Sequence, residues 1–239
     1  MYDTEMKLNH QILQFLEFQV QALLPSSEER KETSSVTDEN QDSPEVIIPE
    51  MMLSLLVQYL SGLKAINCLL NRGYVSQTRG IFQTLGDDYE DIIFLSLPSQ
   101  EGVVSPLHQS YLNNSADDSC SNPVNRREIR NMIRRAKKIN QNVFQLHSNQ
   151  QVFQVLRTQG AKHSSVDVAI DLHRHFAYKA ILLAVLTAKV ADNMEVMRAC
   201  LNYRAHLEMI APNAVEFKMP EPRRHQPITA AARVAAITL

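Results

Sequence analysis

Apolar residues recur at helical spacing through most of this 239-residue chain, and this pattern constrains its fold more than any other feature. Between residues 4 and 24, for example, Leu8, Ile12, Phe15 and Leu23 fall on one face of a helix. No segment alternates apolar and polar residues over more than a few positions, as a half-buried strand would. The sequence therefore predicts an all-α protein, a helical bundle of five to seven helices around one core.

Composition excludes several classes of nucleotide-binding enzyme. The chain has only 6 Gly and contains neither G-x-G-x-x-G nor a Walker-type G-K-S/T, which argues against Rossmann enzymes, P-loop NTPases and kinases. Hydrophobic residues make up 44% and charged residues 21%, enough apolar material for a substantial core. A formal charge of −2 shows that the chain as a whole is not a polycation.

The cysteines, the first residues of the chain and the length of its longest apolar run indicate a cytoplasmic location. Cys68, Cys120 and Cys200 are odd in number and widely spaced, which predicts neither a disulfide framework nor a structural zinc site. The first residues are acidic and polar, unlike a signal peptide. The longest uninterrupted apolar run, 180–188, is about half the ~20 residues of a membrane span. We therefore predict a soluble protein that has no membrane partner and no cofactor.

The chain divides into four parts by composition. Residues 1–25 form a predicted N-terminal helix, and residues 26–47 form a linker rich in Ser, Glu, Asp and Thr. Residues 48–210 form the predicted bundle domain, and residues 211–239 form a C-terminal arm with four prolines and an Ala-rich end. The apolar end, Ala230 to Leu239, predicts a homo-oligomer or a protein partner that covers it.

Turn residues delimit the helices inside the bundle. Pro49 is placed in the first turn of the second helix, and Gly73 ends it. A third helix follows over 75–97, and the polar stretch 98–123 separates it from a basic helix. Further predicted helices cover these ranges: 125–140, 149–157 and 165–210, the last being one helix or two that break near Asp192.

Arg79 shares one predicted helix face with Val75 and Phe82, because the three lie four and three residues apart. A guanidinium on an apolar face is either paired with an acceptor in the core or reaches water from the edge of the face. The sequence leaves both interpretations open.

Arg157 and His163 form a second candidate site. Arginine carries a fixed charge that can hold a phosphate, and histidine titrates near neutrality and can move a proton. Gly160 breaks the preceding helix, and Ser164 or Ser165 can cap the next one, so His163 is predicted at a helix N-terminus, where anions bind well. The alternative is a histidine in a capping loop that has no chemistry.

Seven of the thirteen residues from 126 to 138 are basic and one is acidic. The basic residues are Arg126, Arg127, Arg130, Arg134, Arg135, Lys137 and Lys138. Ile129, Ile133 and Ala136 supply a predicted buried face, which leaves a cationic outer face. Such a face suits a polyanion, whether RNA, DNA or an anionic membrane surface, and the alternative is a merely solvated helix.

Acidic residues form a fourth group. Asp167, Asp171 and His175 follow at four-residue steps, and residues 87–91 contain a dense carboxylate cluster. Such groups can ligate a divalent metal, but the paired Glu-x-x-His repeats of di-iron bundles are missing. The sequence therefore favours pairing of Asp171 with Arg174 or His175 and predicts no metal.

Residues 69–83, with their Gly turn followed by a helix that carries Arg79, resemble the helical hairpin of a bacterial family related to HEPN domains and their abortive-infection relatives. The segment 159–165, which contains His163, is similar to a polar segment before the final helices of that family. The sequence departs from the family at Gln83, where the pattern has Glu, and at 159–160, where a Ser usually precedes the His.

The resemblance implies a HEPN-like fold and a cytoplasmic homodimer that binds RNA or cleaves it without a metal, as a factor of a toxin–antitoxin or antiviral defence system. It implies an endoribonuclease centre in which Arg157 stabilises the scissile phosphate, His163 assists attack by the 2′-hydroxyl, and Arg79 completes the site. The alternative is a catalytically silent helical adaptor that binds partners through the basic helix and the C-terminal arm. A metal-dependent phosphohydrolase that uses residues 87–91 ranks last.

Overall fold

The computed structural model describes residues 2–24, 44–98, 103–115, 123–139 and 166–210. In these ranges the regular elements are helices and no strand occurs, which confirms the all-α prediction. The helices are α1 (Tyr2–Leu23), α2 (Pro44–Asn71), α3 (Thr78–Ser96), α4 (Pro106–Ser115), α5 (Pro123–Ile139), α6 (Val166–Val190) and α7 (Met194–Ile210).

Helix α6 lies at the centre of the bundle, in contact with α1, α2, α3 and α7. Its alanines, among them Ala177, Ala180 and Ala184, are fully buried, and these small side chains let the neighbouring helices approach closely. A helix surrounded on most sides buries apolar residues around its circumference, which explains its long apolar run. Helices α4 and α5 pack on the outer side of α2 and α3.

A glycine turn joins α2 and α3 into a hairpin. Gly73 has a φ of 80°, and the amide of Tyr74 donates to the carbonyl of Leu69 at 2.9 Å, so the end of α2 is closed as predicted. Inside the hairpin, a Cβ on Gly62 would lie 2.8 Å from Cδ2 of Leu85. The absence of a side chain at Gly62 therefore allows the two helices to pack tightly.

Two predicted helix starts are wrong. Helix α2 begins at Pro44 rather than near Pro49, because Ile48 is buried and extends the apolar face toward the N-terminus. Pro49 lies inside the helix, where its missing N–H costs one backbone hydrogen bond. Helix α3 begins at Thr78, so Val75 lies in the preceding turn, where its carbonyl accepts from the Thr78 hydroxyl at 2.7 Å.

The polar stretch 98–123 contains helix α4, which the sequence pattern did not predict. Its few apolar side chains, such as Leu112, are supplemented by His108, which is 1% exposed. The His108 ring stacks on Phe94 with centroids 4.0 Å apart, and its Nε2 lies 2.9 Å from the Phe94 carbonyl oxygen. A polar residue therefore shares the core contacts of this helix with Leu112.

The region 165–210 forms two helices, the second of the two predicted arrangements. The break covers Ala191 to Asn193, where Asp192 has a φ of 54°. The Asn193 side chain then accepts from the amide of Val196 at 3.1 Å and begins α7. The predicted break near Asp192 is confirmed.

The buried residue His173 of α6 is hydrogen-bonded to residues of α1 and α2. Nδ1 of His173 accepts from the Asn9 amide at 2.9 Å, and its Nε2–H donates to the Leu63 carbonyl at 3.0 Å. Burial lowers the pKa of His173 to about 4. The ring is therefore neutral at neutral pH, and its contribution to stability is lost as the pH falls from about 6.5 toward 4.

Within the described ranges, residues 46–71 of α2 are long and apolar enough to cross a membrane by length and composition alone. Its apolar residues do not form one uninterrupted run in the sequence, because Ser54, Gln58 and Lys64 lie among them. Core helices of soluble proteins, which are mostly buried, pass the same test. In α2 33% of the most apolar stretch is buried, including Met52, Leu56 and Leu63.

Candidate nucleic-acid interface

Helix α5 divides into a buried side, a flank and an outer face. Ile129, Ile133 and Ala136 are buried and Met132 is half-buried, as their three- and four-residue spacing predicts. This side packs mainly on α3 and also on α4. The flank of α5 next to the buried side carries Arg126 and Arg130, and both reach the carboxylates of α3.

Arg126 forms a two-pronged ion pair with Asp91. Its two terminal nitrogens donate to Oδ1 at 2.5 Å and to Oδ2 at 2.9 Å, and one of them also donates to the Asp87 carbonyl at 3.3 Å. The Asp91 side chain is 5% exposed and the Arg126 side chain 34% exposed. A planar guanidinium satisfies a buried carboxylate well in this geometry, so Arg126 acts as a structural partner of α3.

Arg130 makes a second set of contacts one turn further along α5. Its Nε donates to Oε2 of Glu90 at 2.7 Å, and a terminal nitrogen lies 3.6 Å from Oδ1 of Asp87. The Arg130 side chain is 41% exposed, so water screens these pairs more than the Arg126 pair.

Burial sets the protonation of the α3 carboxylates. It raises the pKa of Asp91 to about 6, while the adjacent Arg126 and a hydrogen bond from Tyr111 limit that rise. Burial together with the charge of Asp91 raises the pKa of Asp88 to about 7. Among the described residues, no hydrogen-bond donor lies within reach of Oδ2 of Asp88. Within this cluster, Glu90 and Asp91 are thus ion-paired with α5. Asp88 has one oxygen without a donor among the described residues, and the charge of Arg126 only partly offsets the rise in its pKa.

The outer face of α5 carries Arg127, Arg134 and Arg135, which are all exposed. Among the described residues, none of the three has a carboxylate within ion-pair distance. Residue 138 follows Arg134 by four positions, about one helical turn. The side chains of Lys137 and Lys138 lie outside the described residues. The seven predicted basic residues therefore comprise two paired, three exposed and two not described.

The predicted catalytic residues are only partly within the described structure. Arg79 is exposed in the first turn of α3, so it reaches water from the edge of the apolar face, the second of the two interpretations. Arg157 and His163 lie outside the described residues, as do the predicted helix at 149–157 and the arm at 211–239. Of the predicted linker 26–47, residues 26–43 lie outside the described residues and residues 44–47 belong to α2, so its predicted C-terminal bound is wrong. The arrangement of Arg79, Arg157 and His163 stays a prediction.

The other acidic group forms a local ion pair. Asp171 accepts from Arg174 at 2.7 Å, which is one of the two pairings predicted for it. His175 is buried, with its ring edge-on to Phe176. The side chain of Asp167 lies outside the described residues. Within the part of the chain that the structure describes, no group of three His, Cys, Asp or Glu residues could hold a metal ion.

Sequence reasoning missed the division of α5 into a paired flank and an exposed face. A signal was present, because Asp87, Glu90 and Asp91 recur at the spacing of one helix face, as do Arg126 and Arg130. The spacing within each helix does not show that the two faces meet.

Comparison of the chain with models of protein families, with curated proteins and with solved structures finds no match.

Proposed function

We propose that this chain is an all-helical RNA-binding protein whose contact surface is the outer face of α5. The observation that carries the proposal is the exposure of Arg127, Arg134 and Arg135 on one side of a helix whose other arginines are held by α3. Fixed cations at this spacing can replace the counterions that surround a nucleic-acid backbone.

The ion pairs of the flank support this role. Because Arg126 and Arg130 hold α5 against α3, the outer arginines are displayed on an anchored helix. The outer face of α5 has no exposed aromatic side chain, so the expected contacts are to phosphates rather than to stacked bases. We therefore expect binding with little sequence preference and a strong dependence on salt.

A membrane surface is the less favoured polyanion. Helices that bind at a bilayer surface present large apolar side chains beside their basic residues, and the described part of α5 exposes none. RNA is preferred over DNA because of the resemblance of residues 69–83 to HEPN-related proteins. The HEPN-like fold, the homodimer and RNA cleavage by Arg157 and His163 belong to this proposal as its further, untested parts.

The experiment compares two variants that each lose three positive charges, one from the outer face of α5 and one from elsewhere on the surface. The variant combines Arg127→Gln, Arg134→Gln and Arg135→Gln. The control removes three exposed cations away from α5, one in the turn after α2, one on α6 and one on α7, by combining Arg72→Gln, Lys189→Gln and Arg198→Gln. Binding of a single-stranded RNA is measured by fluorescence anisotropy at several salt concentrations, with duplex DNA and anionic vesicles as further arms.

The variant of α5 should bind RNA more weakly, and the slope of log affinity against log salt should be smaller by about 2, because three phosphate contacts are lost. The control should keep the original slope. An equal loss in both proteins, absence of RNA binding at low salt, or binding to vesicles alone would contradict the proposal.

A further inference from the structure

An open groove of about 740 Å³ lies between α2 and α3. Small side chains line much of it, with Ser54, Ser61 and Ala65 from α2 and Gly80 and Thr84 from α3. Asp88 is the one charged residue among the described residues of its lining. The groove lies on the α2–α3 hairpin, and the proposed RNA surface lies on the outer face of α5.

Gly80 lines this groove, and no neighbouring atom among the described residues requires that it lack a side chain. A Cβ built on Gly80 would meet no atom within 4 Å among the described residues, whereas one on Gly62 would collide with Leu85. Glycine is less favourable than alanine within a helix, and its missing side chain lets another group approach the backbone closely. An occupant of the groove would supply that neighbour.

Asp88 provides a second, independent indication of an occupant. The residue is 6% exposed and lines the groove, and its Oδ2 has no hydrogen-bond donor among the described residues. A buried carboxyl oxygen without a donor is costly, because folding removes its water without replacing it. A cationic side chain placed in the groove would bring a positive charge beside this carboxyl group.

The shape and lining favour a segment of polypeptide over a small molecule. Small-molecule sites are mostly enclosed and rich in aromatic side chains. This groove is open, and the described residues that line it include no aromatic side chain. Lining residues as small as serine, alanine and glycine allow a backbone to approach closely, and the occupant should itself have small side chains and one positive charge.

Residues 228–239 of the chain have this composition. The segment reads ITAAARVAAITL, with five alanines and Arg233 as its one charged side chain. We propose that residues 228–239 lie in the α2–α3 groove of the same molecule, with Arg233 paired to Asp88.

The connecting residues are long enough for this arrangement. Residues 211–227 separate the end of α7 from the segment, and 17 residues can span up to roughly 56 Å. The described residues number about 150, and a globular domain of that size is roughly 40 Å across. A chain of this length can therefore reach most of the surface of the domain from the end of α7.

The experiment measures proximity in the full-length chain, with the native cysteines replaced. Gln58→Cys places a thiol in the groove, and Ala236→Cys places one near Arg233. Ala22→Cys, exposed on α1, replaces Gln58→Cys in the matched control. Disulfide formation under mild oxidation is followed by non-reducing electrophoresis and mass spectrometry, which separate links within one chain from links between two.

The 58–236 link should form within one chain at least tenfold faster than the 22–236 link. Arg233→Glu should slow it about tenfold, because the charge then repels Asp88, and Arg233→Lys should slow it less. Gly80→Leu should also slow it, since a side chain there fills open space in the groove without disturbing the core.

Equal rates at positions 22 and 58 would overturn the proposal, as would links that form only between two chains, since the groove would then receive a second copy. An unchanged rate in both Arg233→Glu and Gly80→Leu would overturn it as well. These readouts do not involve RNA, so the proposal can fail while RNA binding holds, and the reverse.

Discussion

The flank and the outer face of α5 carry the same kind of residue and have opposite surroundings. Arg126 on the flank is bound by two nitrogens to Asp91, and Arg130 contacts Glu90. Arg134, one turn after Arg130, is exposed and has no carboxylate within ion-pair distance among the described residues. The difference between these arginines comes from the position of α3.

The comparison shows that a run of basic residues combines two roles. Arginines that face a partner helix stabilise the fold, because they neutralise carboxylates that burial would otherwise penalise. Arginines that face solvent add little to stability and remain accessible to a polyanion. Substitutions on the two sides of α5 should therefore separate stability from RNA binding.

The largest effect is expected on the flank. Arg126→Gln should lower the free energy of unfolding by about 3 kcal/mol at pH 8, because it leaves the buried carboxylate of Asp91 without its cation. Urea unfolding of the variant and the wild type measures this difference. Arg134→Gln is the matched control, and it should change stability by less than about 0.5 kcal/mol.

The cost of Arg126→Gln should also depend on pH in a defined direction. Arg126 lowers the pKa of Asp91, which burial holds at about 6, so its removal raises that pKa further. Below pH 6 Asp91 can take up a proton and the cost should shrink; above it the cost should grow. A cost that is the same at pH 5 and pH 8 would show that the ion pair is not its cause.

A smaller effect of opposite sign is expected at Asp88. Its pKa in the folded protein is about 7, above its ordinary value of 3.8, so its stabilising contribution is present below pH 4 and is lost as the pH rises through 7. In an Arg233→Gln background, which lacks the proposed partner of Asp88, Asp88→Asn should therefore raise the free energy of unfolding by about 2 kcal/mol at pH 8 and by less at pH 5. Urea unfolding at both pH values measures this. In the chain that retains Arg233 the gain at pH 8 should be smaller, because the proposed pair compensates the carboxylate, and an equal gain in both backgrounds would contradict that pair.

Much of the fold could be predicted from the sequence, because local signals determine it. The apolar periodicity of α1, the Gly73 turn and the break near Asp192 each depend on residues close together in the chain. Helix α4 could not be predicted, since one of its main core contacts is made by the polar residue His108, which stacks on Phe94. The pairing of His173 with Asn9 and Leu63 likewise depends on helices far apart in sequence.

The candidate site was predicted in part for the same reason. The basic helix and its buried face follow from spacing within one segment, and the structure confirms burial of Ile129, Ile133 and Ala136. Which arginines are paired depends on Asp91, 35 residues before Arg126, and no local pattern shows that contact. The exposure of Arg79 also depends on packing, because Val75 lies outside the helix that the spacing assumed.

The most direct test compares two single substitutions on one helix. Arg134→Gln and Arg130→Gln each remove one charge from α5, four residues apart, one from the outer face and one from the flank. The affinity for single-stranded RNA is measured against salt concentration for both proteins. Arg134→Gln should weaken binding and reduce the salt slope by about 0.7, and Arg130→Gln should leave both nearly unchanged. Equal losses, or a larger loss for Arg130→Gln, would contradict the division of α5 into a structural flank and an RNA-binding face.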